Sequence, residues 1–592
     1  MCGICGIYNF NKNKPVSNNT LDNMNNALAH RGPDEAGLYI DAFIGLGHRR
    51  LSIIDIQNGK QPMSNENSTI WVTYNGEIYN HKELKDSLLK KGHEFKTDCD
   101  TEVIVHAFEE YGTESVLKFN GMFSFAIWDS KNETLFLARD RLGIKPLYYS
   151  VSNDYFIFAS EIKAILQHPS VKAEVEINSI PEYLFCTSLL NGNTMFRNIY
   201  SVPAGHVIVF KNKTKEITKY WDIKLKNIQE DEFSFEQYKK QIYNLLEDSV
   251  RMRLMSDVPF GSLLSGGVDS SVISALAATY VSNNKLRTFS IEYSKNMELC
   301  RDNSDTKYAG MMAHTFQTDH KEFILQPEEY YDILGKVIWH TEKPIELTTP
   351  SLYLLHKNLK KHVTVVLTGE GADELFGGYF FFLKEAQTNQ IKEFPWAPYF
   401  NEVSMLLSPD IEKETNFREN VKSTLYDLLN RFESDDFLNK VLYLFIKIYL
   451  LEMLERQDKT SMAWGVEARV PFLDHRIVEY IMNIPSKYKI RNGIEKYILR
   501  ESFRNLVPSE VINRKKKPFP FPVDPKSIFK QKNIANDLIQ SGNSGIAKYF
   551  NKKETDDFFN KKNKFKGLDN LAVFRTSYAM ISLELWHKAF GV

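Results

Sequence analysis

Three stretches of the chain hold residue types that could do chemistry together. In Leu263-Leu264-Ser265-Gly266-Gly267-Val268-Asp269-Ser270-Ser271 an apolar run enters a glycine turn and leaves it as a helical pattern. That order aims backbone N–H groups and a positive helix end at an anion, with serine hydroxyls as further donors. Asp269 would repel a bare phosphate, so a carboxylate there makes sense with Mg²⁺ between it and a polyphosphate. Thr368-Gly369-Glu370-Gly371-Ala372-Asp373-Glu374 is an acidic loop whose glycines allow close approach, and it suits the other wall of such a metal–nucleotide cleft. The third stretch is the start of the chain. With Met1 removed, Cys2 carries a thiol and an α-amine of pKa near ~8 on one residue, a nucleophile that brings its own base.

Around Cys2 the sequence offers partners. Cys2 and Cys5 are spaced as a C-x-x-C pair, but no second Cys/His pair stands nearby to complete a zinc site. His30-Arg31-Gly32-Pro33-Asp34 is dense in turn formers, and Arg50 stands at the mouth of an apolar run, Leu51 to Ile54. Trp71–Tyr74 reads as a strand that stops at Asn75-Gly76-Glu77. Asn-Gly is a tight-turn signal, and the Asn75 amide with the Gly76 N–H would also suit an oxyanion. Asp98, Asp100 and Glu102 precede a helical pattern, where an N-cap is the plain reading.

Taken in order, M-C-G-I-C-G, H-R-G-P-D, R-L-S-I, N-G-E-I-Y-N and R-D-R-L-G-I-K-P-L-Y-Y resemble a class II glutamine amidotransferase domain. The resemblance implies an N-terminal-nucleophile (Ntn) hydrolase αββα sandwich over residues 2–210. It implies that Cys2 attacks the glutamine side-chain amide and that Asn75 and Gly76 hold the oxyanion. Arg50, Leu51, Ser52, Ile53, Ile54, Glu77 and Asp100 would complete the glutamine pocket, with Arg50 on the α-carboxylate and Asp100 and Glu77 toward the α-ammonium. Met122–Asp129, Thr134–Arg139 and Tyr155–Ser160 read as strands, and Val207–Phe210 as the last of them. Polar, Lys-rich residues 211–233 read as a linker.

From 234 onward the pattern changes. Ser234 with Gln237 has capping-box spacing, and Phe235 to Val250 recur at helical intervals. Leu286–Tyr293, Glu322–Leu325 and Val363–Thr368 read as strands between helices. That alternation predicts a doubly wound, mainly parallel sheet with ligands beyond the strands' carboxyl ends, where Ser265 and Thr368 fall. The glycine loop is not a Walker A loop, since no Gly-Lys-Ser/Thr follows; it resembles the S-G-G-x-D-S loop of N-type ATP pyrophosphatases. D-K-T-S-M-A at 458–463, E-A-R-V-P-F-L-D at 467–474 and E-K-Y-I-L-R at 495–500 extend the likeness to glutamine-hydrolysing asparagine synthetases, over about residues 2–525.

That resemblance implies ATP and Mg²⁺. Leu263 and Ile291 would present backbone to adenine, while Ser265, Gly266, Gly267, Ser270 and Lys496, with Thr368 and Gly369, would hold the phosphates. Asp269 and Asp373 would bind Mg²⁺, and Glu370 would assist the acyl-adenylate and ammonia attack. The implied reaction amidates L-aspartate through a β-aspartyl-AMP intermediate, with ammonia channelled from glutamine through an internal tunnel, and yields asparagine, AMP, pyrophosphate and glutamate. One well-known type in that family carries an Arg-bearing insert before its Ser/Thr-Pro. Here His340–Pro350 is shorter and has Glu346 but no arginine, so aspartate's α-carboxylate needs another cation. Relatives of the fold amidate sugar uronic acids or secondary-metabolite carboxylates, which is the alternative reading.

Bulk properties fit this reading. A chain of 592 residues exceeds one core, and its net charge of −1 leaves no footprint for nucleic acid or an anionic membrane. Five scattered cysteines are no disulfide framework, and no basic-then-apolar leader opens the chain, so a cytoplasmic setting is expected. Phe437–Leu454, interrupted by Lys440, Lys447 and Glu452, reads as a buried helix rather than a membrane span. A homodimer is an expectation of the resemblance.

Overall fold

Within the first 219 residues, runs rich in β-branched and aromatic residues between turns fold as strands. These are β1 (Gly3–Asn9), β2 (Glu35–Asp41), β3 (Ile44–Arg50), β4 (Met63–Ser64), β5 (Ile70–Ile78), β6 (Gly121–Asp129), β7 (Thr134–Arg139), β8 (Tyr148–Val151), β9 (Tyr155–Ala159), β10 (Ile199–Ser201), β11 (His206–Lys211) and β12 (Thr214–Lys219). In this computed structural model the described residues are 2–592 except 212–213, 226–232, 282–284, 295–303, 380–399, 432–433, 518, 523–524, 542–543, 567 and 569. One antiparallel sheet runs β10-β8-β9-β1-β3-β2 and the other β12-β11-β7-β6-β5-β4. Their facing side chains, among them Ile4, Leu46, Trp128, Leu137, Phe156 and Phe158, form a closed apolar layer. Helix Asn18–Asn26 covers the first sheet, and helices His81–Leu89 and Asp100–Tyr111 cover the second. This is the expected αββα sandwich.

Three local expectations are corrected. β5 does not stop at Asn75: it runs on to Ile78, paired with β6 from Ile70↔Asp129 to Ile78↔Gly121. The glycine there serves close approach rather than a turn, since a Cβ on Gly76 would lie 2.1 Å from the Met122 carbonyl oxygen. Nor is Val207–Phe210 the last strand, because β12 pairs with β11 from His206↔Lys219 to Lys211↔Thr214. Of the polar residues taken for linker, Thr214–Lys219 form an edge strand exposed on both faces. Of the expected linker, 226–232 lie outside the described residues. Phe437–Leu454 is not one helix but parts of two, Phe437–Lys447 and Tyr449–Met462, separated at Ile448.

The second half is built on five parallel strands, β13 (Phe260–Leu263), β14 (Arg287–Tyr293), β15 (Asp319–Leu325), β16 (Val365–Leu367) and β17 (Glu467–Arg469), in the order β15-β14-β13-β16-β17. β13 is followed by β14 on one side while β16 lies on its other side, so the winding reverses between β13 and β16. That is where a parallel sheet opens a crevice at its carboxyl edge. The Ser234 capping box forms as its spacing predicts, and helix Phe235–Arg253 packs Tyr238, Ile242, Leu246 and Val250 inward. Helix Asn570–Phe590 braces the loop after Thr341, with the Trp586 indole donating to the Glu342 carbonyl at 3.1 Å. Among the described residues no helix is long and apolar enough to cross a membrane.

Candidate active site

Cys2 lies just before β1, an inner strand of its sheet, and is buried. Its backbone nitrogen donates to Asn75 Oδ1 at 3.0 Å, and its carbonyl accepts from Arg31 Nε at 3.0 Å. Burial pushes the thiol pKa up, opposed by the positive chain terminus, the Leu51 N–H and Arg50. Asn75 Nδ2 is buried with no hydrogen-bond partner, and so is Glu77 Oε1. A buried donor and a buried acceptor left open beside a thiol are what a bound polar substrate would satisfy.

The remaining glutamine-site candidates converge on this point. Asp100, in the first turn of its helix, accepts from Tyr74 Oη at 2.8 Å and the Ile78 N–H at 2.9 Å. Burial and Asp100 push Glu77 upward against the pull of Arg469, which it meets at 3.1 Å. The Ser52 N–H is held by Asp34 at 2.8 Å, Leu51 and Ile53 are buried, and Ile54 is half-buried. Arg50 differs from expectation. Its two terminal nitrogens already donate to Glu35 and to the carbonyls of Ile54, Asp55 and Ile56, so the fork arrives filled rather than open. Cys5 is fully buried, with its thiol pushed up by burial alone as the leading cause.

In the second half, the glycine loop leaves β13 and the acidic loop leaves the adjacent β16, so both stand over one crevice. Gly266 takes φ +71°, with Tyr308 and Ala309 backed against it, a conformation that only glycine holds without strain. Ser265 and Ser270 bind one another, Oγ to Oγ at 3.0 Å, and Gly267 opens helix Val268–Thr279. Gly369 packs against Asp269 and Ser270, and Thr368 is buried at the end of β16. Leu263 ends β13, whereas Ile291 lies within the neighbouring β14, two residues before its end.

Lys496 ties the two loops together. Its Nζ lies 2.6 Å from Asp269 Oδ2 and 2.7 Å from Asp373 Oδ1. It holds this place at φ +54°, a strained backbone for lysine that costs about 1–3 kcal/mol. Lys516 adds a second cation, 2.5 Å from Asp373 Oδ2, and Arg514 pairs with Asp305. The basic run 514–517, whose sequence suits either a solvated loop or a cover over phosphate, lines the cleft with Ser265, Asp269, Lys496 and Arg500. The pull of Lys496 and Lys516 overcomes burial and holds the Asp373 carboxyl well below the usual range. Asp269 Oδ1 is buried and unpartnered, aimed into the cleft.

Sequence reasoning missed Arg456. Helix Tyr449–Met462 places it against Glu370 at 3.0 Å and Thr348 Oγ1 at 2.6 Å, with Glu346 at 3.8 Å. The signal was present only as a residue preceding D-K-T-S, with nothing to show which way it faced. Two residues on, Asp458 faces the other half and binds Arg31 Nη2 at 2.8 Å. About 3 Å of helix rise separates the two positions.

A two-sheet sandwich with a buried cysteine at its centre, joined to a parallel sheet whose crevice gathers phosphate-type donors and carboxylates, is the frame of a glutamine-dependent amidating ligase. Residues 1–221 match the glutamine amidotransferase domain family and residues 241–588 the asparagine synthase family. The chain belongs to the glutamine-hydrolysing asparagine synthetase family. It is 34% identical over 540 residues to asparagine synthetase [glutamine-hydrolyzing] 3 of Bacillus subtilis, covering 88% of this chain and 87% of that one. Asparagine synthetase [glutamine-hydrolyzing] 1 of the same organism is 34% identical over 562 residues, with the same shares. The Zea mays enzyme is 33% identical over 540 residues, covering 88% and 77%.

Proposed function

We propose that this ligase converts L-aspartate to L-asparagine, with glutamine as nitrogen donor and ATP as the activating substrate. The observation that carries the choice of acceptor is Arg456. It supplies, from a helix, the cation missing from the short His340–Pro350 stretch, beside Glu370 and the Thr348 hydroxyl. A guanidinium fork suits the α-carboxylate of an amino acid whose second carboxylate is being activated.

Each half then has its step. The Cys2 sulfur attacks the amide carbon of glutamine while the residue's own amine takes the thiol proton. Asn75 Nδ2 and the Gly76 N–H stabilise the oxyanion. Collapse expels ammonia and leaves a thioester, which water cleaves to glutamate. In the other half, the aspartate β-carboxylate attacks the α-phosphorus of ATP and pyrophosphate leaves. Ser265, Gly267, Ser270, Lys496 and Lys516 hold the departing phosphates. Ammonia attacks the acyl carbon and AMP departs, with Glu370 positioned to take the proton the new amide sheds.

The donor set fits Mg²⁺. Asp269 and Asp373 offer hard carboxylate oxygens, one of them unpartnered. Bound there, the ion would neutralise polyphosphate charge. The acceptor nitrogen must arrive as neutral ammonia, and a dry path would also protect the adenylate from water.

ATP–pyrophosphate exchange across a panel of carboxylic acids tests the reading. Exchange with aspartate, lost on Arg456→Met, is expected. Exchange with a uronic acid but not with aspartate would transfer the same chemistry to another acceptor.

A further inference from the structure

The outer face of the amidotransferase sandwich carries a cluster that the chemistry above does not use. Glu66 stands in the turn between β4 and β5, His93 follows helix His81–Leu89, and His106 and Glu109 share one face of helix Asp100–Tyr111. One donor atom from each of the four lies within 4.8 Å of the others. His106 Nδ1 is 3.7 Å from Glu66 Oε1 and 3.6 Å from Glu109 Oε2, and His93 Nδ1 is 3.7 Å from that same Glu109 oxygen. Around a tetrahedral zinc ion with bonds of about 2.0–2.1 Å, donor atoms stand about 3.3–3.4 Å apart, so these three pairs close by a few tenths of an ångström and the others by no more than about 1.4 Å, within reach of a side-chain adjustment.

Two further observations point to an ion. The His106 side chain is 1% exposed, and neither ring nitrogen has a hydrogen-bond partner, a state that buried imidazoles rarely hold. Each histidine also turns its far nitrogen to a carboxylate. His106 Nε2 is 3.7 Å from Glu102 Oε1, and His93 Nε2 is 3.3 Å from Glu110 Oε2. Metal-bound histidines are oriented by such outer carboxylates, which raise the basicity of the ligating nitrogen.

We propose that Glu66, His93, His106 and Glu109 bind one divalent transition-metal ion of the zinc class, which two imidazoles and two carboxylates suit. The ion ties the His93 loop to the Asp100 helix. Glu102, behind His106, also accepts the N–H groups of Lys96 and Thr97, the segment that leads into Cys99 and Asp100. The clasp therefore steadies one wall of the glutamine pocket from outside, and it does not depend on which acid the other half activates.

The test uses the full-length protein, stripped with a chelator and dialysed against Zn²⁺ in the presence of excess Mg²⁺, with bound metal counted by elemental analysis. The wild-type chain and Cys2→Ala each retain one zinc ion, and His93→Gln and Glu109→Gln, both at partly exposed positions, bind it at least a hundredfold more weakly. X-ray absorption on the zinc-loaded wild-type chain, which needs no variant to fold, reads a shell of nitrogen and oxygen with imidazole scattering and no sulfur. Failure to retain an equivalent of zinc, retention unchanged in both variants, or sulfur in the first shell overturns the site.

Discussion

Arg31 and Asp458 are joined across the two halves of the chain by a 2.8 Å bond from Nη2 to Oδ2, with both side chains buried. The same guanidinium holds the Cys2 carbonyl through Nε and Glu161 through Nη1 at 2.9 Å, while Lys145 reaches Asp458 at 3.3 Å. A buried cation that loses one partner keeps its desolvation penalty, so Asp458→Asn is expected to cost about 3–5 kcal/mol. It should also loosen the register between the halves. Calorimetry should show a lower Tm, and glutamate released should exceed amide product; a one-to-one ratio at unchanged Tm would remove the link argued from this pair.

Removing the thiol should separate the nitrogen sources. Cys2→Ala is expected to abolish glutamine hydrolysis and leave synthesis from added ammonia, rising with pH as ammonium loses its proton. A chain with its terminal methionine retained should behave likewise, because the amine that serves as base is then an amide. Steady-state assays with glutamine and with ammonium chloride distinguish the outcomes, and glutamine-driven turnover in either protein would defeat the assignment.

The bridge between the two loops should govern adenylation. Lys496→Met leaves Asp269 and Asp373 facing one another with one cation fewer, and a lost preorganised charge typically costs a factor of 10²–10³ in rate. The expected result is a fall of that order in ATP–pyrophosphate exchange with glutaminase activity intact. Equal loss of both activities would mean that the residue acts through folding alone.

Lys489 offers a stability test away from either site. It is fully buried, its Nζ donating to Asn439 Oδ1 at 2.6 Å, and burial pushes its pKa down to about 7. An unfolded lysine titrates near ~10.4, so between about 7 and 10 the unfolded chain binds more protons. This residue's contribution to stability therefore rises with pH across that window, by up to about 1.4 kcal/mol per unit, and is least favourable below it. Lys489→Met should flatten that slope in denaturant titrations at successive pH values. An unaltered slope would show that the ammonium is not held where it is buried.

Much of this was legible before folding. The strand–glycine–helix order at 263–271, the acidic loop after Val365–Leu367 and the capping box at Ser234 are local patterns, and each formed where its spacing placed it. The local signal failed at Asn75-Gly76. A tight-turn dipeptide was overridden because β6 supplies a pairing partner along the whole of β5, and that partner is 43 residues or more away in sequence. It failed again at 211–219, where exposed polar residues read as linker although an edge strand needs only one neighbour.

By itself, then, the sequence determined the two kinds of domain and the residue types of both candidate sites, because cysteine, glycine and carboxylate motifs are contiguous and their chemistry is local. Only the tertiary structure decided which charges meet. Arg456 faces Glu370, Asp458 faces Arg31, and Lys496 and Lys516 close on Asp373, because those pairings follow from where a helix or loop docks. A cation's worth depends on the burial and distance of its partner, and neither is written in spacing along the chain.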